Sequence, residues 1–105
     1  MTVIKIKQQK TTRITNFAFL ERFTDAEAVA IDLASIDDIN APQEQRENSS
    51  MLRRMNKKID TASFIDLADP QTIAGIKSLA VIELITDDRA TEILESPILQ
   101  HELLD

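Results

Sequence analysis

The chain has 105 residues, 43% of them hydrophobic, with one Gly and three Pro, and 12 Lys and Arg against 18 Asp and Glu for a net charge of -6. That suits one compact domain and excludes a chain dominated by disorder. Cysteine is absent, which removes disulfides, thiolate metal sites and a cysteine nucleophile.

Residues 1–10 lack an apolar h-region, and the longest apolar stretch, residues 79–85, is interrupted by Glu83. It falls far short of the roughly 20 residues of a membrane span, so a soluble, unexported protein with no membrane partner is expected. In residues 2–7, Ile4 and Ile6 alternate with Lys5 and Lys7, the period of a strand with one buried face. No second strand of comparable quality follows, so this basic arm, residues 1–13, is expected to pair within the chain or along another chain's edge.

Thr15 caps a first short helix, in which Phe17, Phe19, Leu20 and Phe23 are the expected core anchor. Thr24 and Glu27 have the spacing of a capping box, so a second helix begins there. It is expected to run to about Ser35 and to bury Ala26, Val29, Ala30, Leu33 and Ile36. A loop over residues 37–41 leads to Pro42, whose ring suits the first turn of a third helix. The second half of that helix carries an apolar stripe, Met51, Leu52, Met55 and Ile59, with Arg53, Arg54, Lys57 and Lys58 on the opposite side.

Periodicity assigns residues 64–67 to no particular element. Asp69 and Pro70 open a fourth helix, with Ile73, Ile76, Ala80 and Leu84 on one face and Val81 and Ile82 widening it, so it is expected to be covered on more than one side. Thr86, Asp87 and Asp88 start a fifth helix with Ala90, Ile93 and Leu94 inward. Ser96 and Pro97 lead into an amphipathic tail, residues 96–105, whose Ile98, Leu99, Leu103 and Leu104 are expected to dock on this domain or on a neighbour. The expected fold is mainly α: a compact bundle of four to five short helices over residues 14–95, with an extended N-terminal β-like arm and this tail.

Little in the sequence carries chemistry. His101 is the single histidine and has no partner at a metal-ligand spacing. No Gly-x-Ser-x-Gly elbow or glycine-rich phosphate loop occurs. The adjacent acids Asp37 and Asp38, and Asp87 and Asp88, sit where loops and helix starts already favour carboxylates. No enzyme, metal or cofactor is expected. Arg53, Arg54, Lys57 and Lys58 form a stripe that could meet nucleic acid or an acidic partner. Against nucleic acid stand the acidic total and the absence of Trp and Tyr.

The run Ile-Thr-Asn-Phe-Ala-Phe-Leu-Glu-Arg-Phe-Thr over residues 14–24, followed by Glu27, Ile31, Ala34 and Ser35, resembles the start of small proteins encoded by tailed bacteriophages and prophages near tail, baseplate or tail-fibre genes. The likeness continues through Ala41 and Pro42, Gln45 and Arg46, residues 51–53, 64–67 and 72–75. It spans residues 14–95. The resemblance implies a virion-associated or assembly role and no catalytic residue.

The expected function is therefore a non-enzymatic adaptor of the virion tail, made in the host cytoplasm and present in several copies of a symmetric assembly. It would bind other phage structural proteins through Ile4, Lys5, Ile6 and Lys7 of the arm and Leu99, Leu103 and Leu104 of the tail. The alternatives are a tail-fibre assembly chaperone absent from the particle, and a small nucleic-acid-binding regulator using the stripe at residues 53–58.

Overall fold

The computed structural model of the chain describes residues 12–103, and within them the fold is mainly helical, as expected. Five helices, α1 (Asn16–Glu21), α2 (Asp25–Ala34), α3 (Gln43–Thr61), α4 (Pro70–Val81) and α5 (Asp87–Glu95), are joined by two short strands, β1 (Arg13–Ile14) and β2 (Ile65–Asp66), and a closing 3-10 turn (Gln100–Glu102). The core gathers around Ile14, Phe19, Leu52, Ile76, Leu79 and Ile93. The expected strand over residues 2–7 lies outside the described residues.

Local chemistry starts the helices where the sequence predicts. The Thr15 hydroxyl accepts from the Ala18 amide, Thr24 and Glu27 form a full capping box, Asp69 precedes Pro70 at the start of α4, and Thr86 caps α5. Each orphan amide met this way is worth about 1 kcal/mol.

The sheet is the first departure. β1 and β2 pair antiparallel, Arg13 opposite Asp66 and Ile14 opposite Ile65, so residues 64–67 supply a strand that periodicity could not assign. Arg13, counted with the arm, belongs to this ladder. Ile14 also bridges Leu103 on its other side, and the Thr15 amide donates to the Glu102 carbonyl at 2.9 Å. Three distant segments thus meet at Ile14, which is fully buried. The tail docks on its own domain.

The second departure is the rotation of α2. Its expected inward face is its outward one: Val29, Leu33 and Ile36 are 56%, 65% and 63% exposed, while Ile31 and Ala34 pack on the core. Polar contacts explain this. Glu27 is held by Arg89, the Ser49 hydroxyl donates to the Ala34 carbonyl at 2.7 Å, and Arg53 donates to the Ser35 carbonyl at 2.9 Å. At about 100° per residue, Glu27 and Ala34 lie on nearly the same side of α2, opposite the apolar row.

Three smaller corrections follow the same logic. Phe17 is 72% exposed and Leu20 is exposed too, so the anchor reduces to Phe19 and Phe23, whose rings meet edge-to-face with centroids 5.5 Å apart. Met51 is exposed at the edge of the α3 stripe, leaving Leu52 as its buried centre. Val81, expected to widen the apolar face of α4, is exposed, while Ile82 packs on the core, and Leu84 lies beyond the helix end.

That end is a Schellman motif: the Glu83 amide donates to the Ala80 carbonyl and the Leu84 amide to the Leu79 carbonyl, at 3.0 and 2.9 Å. Glu83 occupies the left-handed region, with φ 65°, where a Cβ is unfavourable by about 1–2 kcal/mol. Glu83→Gly is expected to raise stability by about 0.5–1 kcal/mol, or a few degrees in Tm, in thermal melts. The chain's one glycine serves elsewhere: a Cβ on Gly75 would lie 3.2 Å from the Met55 methyl, so its absence lets α4 approach α3 closely.

Candidate docking surface

Two arginines that sequence reasoning passed over hold the parts together. Arg22, which caps the end of α1, forks onto Glu102 with Nε to Oε2 at 2.9 Å and Nη2 to Oε1 at 3.0 Å. It also donates to the carbonyls of Ile93 and Ser96 at 2.8 and 3.2 Å, meeting acceptors at the C-terminal end of α5. The Arg22 and Glu102 side chains are 7% and 8% exposed. Burial pushes the Glu102 carboxyl up, but the Arg22 fork, the Leu99 amide and the nearby Arg22 and His101 charges outweigh it and hold the pKa below the ordinary value.

Arg89 plays the same part between α5 and α2, with Nε and Nη2 on the two Glu27 oxygens at 2.7 and 2.8 Å and a third bond to the Arg22 carbonyl. The Arg89 hydrogen bond holds the Glu27 pKa at about 2, helped by the Thr24 amide against the cost of burial. A carboxylate whose pKa is depressed by folding contributes its stability above the unfolded value and loses it as pH falls through the folded one. Melting temperature is therefore expected to fall between about pH 4.5 and pH 2, and Glu27→Gln to flatten part of that fall; thermal melts across this range on both chains check it. Arg89 also meets Glu92, three residues on, at 3.1 Å, but the contacts that join distant segments, Arg22 to Glu102 and Arg89 to Glu27, lie far apart along the chain and leave no local pattern.

The expected site residues are dispersed. Ile4, Lys5, Ile6, Lys7 and Leu104 lie outside the described residues. Leu99 is exposed, whereas Leu103 is half-buried and committed to its bridge with Ile14. Arg53, Arg54, Lys57 and Lys58 are exposed along α3, with Arg53 partly engaged by the Ser35 carbonyl. Asp37 pairs with Arg46 at 2.9 Å, Asp38 accepts from the Asn40 amide, and Asp87 and Asp88 occupy the first turn of α5. Among the described residues no three His, Cys, Asp or Glu side chains are grouped to hold a metal ion, and no helix is long and apolar enough to cross a membrane.

What the fold does present is apolar surface. Val29, Leu33 and Ile36, spaced i, i+4 and i+7, form one outward row on α2 and its end, and Ile39 in the following loop is exposed as well. Beside this row runs a trough between α1, α2 and α3. Its main hollow, about 410 Å³, has Phe23, Ile31 and Met55 among its apolar lining, and a second hollow of about 250 Å³ shares Met55, Ile59 and Ile76 with it and extends to β2. Glu21, Asp25, Asp32 and Asp60 also line the main hollow, with no Lys or Arg among its lining residues. Comparison of the chain with protein-family models, with curated proteins and with solved structures gave no match.

Proposed function

We propose that the chain is a non-enzymatic adaptor of a phage tail, baseplate or tail-fibre assembly, binding neighbouring virion proteins through its terminal segments and through the outward face of α2. The observation that carries a binding role is the row Val29, Leu33 and Ile36, held in solvent by polar contacts on the other side of the same helix. Solitary exposed apolar residues are ordinary, but an aligned row is a characteristic of protein interaction sites. The assignment of that partner to a phage virion rests on the sequence resemblance over residues 14–95.

Mass spectrometry of particles purified from the encoding phage, quantifying this chain against known tail proteins, tests the reading. Presence at a fixed low copy number is expected. Abundance in infected cells with absence from particles would discard the adaptor in favour of an assembly chaperone. Because Arg54, Lys57 and Lys58 are exposed on α3, a nucleic-acid-binding regulator is tested separately: reversing the charges of Arg53, Arg54, Lys57 and Lys58 abolishes DNA binding under that reading and spares particle incorporation under the adaptor one.

A further inference from the structure

Residues 23–45 carry Asp25, Glu27, Asp32, Asp37, Asp38 and Glu44 and no Lys or Arg. Folding neutralises only part of that charge, with Arg89 on Glu27 and Arg46 on Asp37. Asp25 and Asp32 are exposed and form no ion pair with a described cation. At about 100° per residue, both fall on one flank of the row Val29, Leu33 and Ile36, and both also line the main hollow beside it. Asp32 stands in the last turn of α2, which holds no basic residue, so its charge meets the negative end of the helix dipole. The outward face is apolar along its middle and acidic along one edge, and a cation brought to that edge is favourable both to Asp32 and to the helix end.

The spacing of the row selects the form of the occupant. Apolar residues at i, i+4 and i+7 match the ridge of a second helix lying along α2. An added strand would need an unpaired sheet edge, which a helix does not offer. From Val29 to Ile36 the row is about 10 Å long, or about two turns of such a helix.

A second copy of this chain does not fit. Packed antiparallel by this face, two copies would set the flank of Asp25 and Asp32 against itself, and like charges so placed are unfavourable. In either orientation α2 and the loop after it supply no cation. The stripe of Arg53, Arg54, Lys57 and Lys58 has the charge but not the apolar half, since exposed Ser50 and Thr61 share its side of α3.

We infer that the outward face of α2 receives an amphipathic helix of another protein, one whose apolar row is flanked by Lys or Arg. Its apolar side chains seat on Val29, Leu33 and Ile36, and its cations reach Asp25 and Asp32. The inference rests on the reading of α2 as a docking face and adds the chemistry of what docks there. Apolar contact supplies affinity, while the charges select the partner and weaken with salt.

The test titrates the full, isotope-labelled chain with two synthetic helical peptides of about 18 residues, identical in their Leu row and carrying either Lys or Glu along one flank. The Lys peptide is expected to shift the Val29, Leu33 and Ile36 amide signals saturably, and the Glu peptide to bind at least about tenfold more weakly. Asp25→Asn with Asp32→Asn should weaken binding of the Lys peptide by about threefold to tenfold, while the same charge change on α5, Asp88→Asn with Glu95→Gln, should leave it unaltered. Equal affinity of the two peptides, or indifference to the Asp25 and Asp32 changes, would overturn the basic partner. Shifts confined to other surfaces, or none with either peptide, would also overturn it. Concentration-dependent shifts of the same three signals in the chain alone would give the face to a second copy instead. The docking face itself is tested separately, by particle content, so failure of the one is told apart from failure of the other.

Discussion

Arg22→Met is expected to destabilise the fold by about 3–5 kcal/mol, because it leaves Glu102 buried with its charge uncompensated. The Ile93 and Ser96 carbonyls lose a donor in the same step. Against a total of about 5–15 kcal/mol for a domain of this size, that is a large fraction, and Tm should drop by on the order of 15 °C. The control separates an ion-pair effect from loss of packing: Arg22→Met combined with Glu102→Leu should recover part of the loss, since exchanging both buried partners for apolar groups is often close to neutral. A double-mutant cycle from denaturant titrations measures this coupling. A cost below about 1 kcal/mol for Arg22→Met would mean that the pair behaves like a surface salt bridge.

Leu52→Ala is expected to cost about 2–5 kcal/mol, the range for emptying a buried leucine site. Leu52 is 1% exposed at the centre of α3, packed in the core with Phe19, Ile76 and Leu79. The informative comparison is Leu33→Ala, the same chemical change on α2, which should stay within about 0.5 kcal/mol because that side chain faces solvent. Denaturant midpoints of the two variants check the rotation of α2 directly. Equal large losses would mean that Leu33 is a core residue after all.

That contrast shows where sequence reading stopped. Helix starts were legible because caps are local: Thr15, Thr24, Asp69 and Thr86 act within three residues of themselves. The inward faces of α3 and α5 were legible because one apolar stripe dominates each. In α2 the apolar residues spread over more than one side, and the choice between sides was made by Ser49, Arg53 and Arg89, residues 15 to 62 positions away from their acceptors on α2. The sheet escaped notice for a related reason. Two-residue strands carry no readable period, and the pairing of Ile14 with both Ile65 and Leu103 is set by tertiary contacts.

For the interaction surface the outcome is similar. The sequence pointed to both chain ends, and the C-terminal one is partly spent inside the fold through Glu102 and Leu103. The row on α2 was visible as a set of apolar residues but assigned to the core, so only its rotation turned it into a surface. The acidic residues of the trough come from α1, α2 and α3 and have no common sequence signature.

The most direct test of the central claim is to place charge on that row and follow incorporation into particles. Val29→Glu with Leu33→Glu should leave the circular dichroism spectrum intact and the melting temperature within a few degrees, since both positions are exposed. Burying two carboxylates in an interface centre costs at least about 2 kcal/mol, so the amount of chain in purified particles should fall by about tenfold or more. Wild-type incorporation by the folded double variant would contradict the assignment of α2 as the docking face.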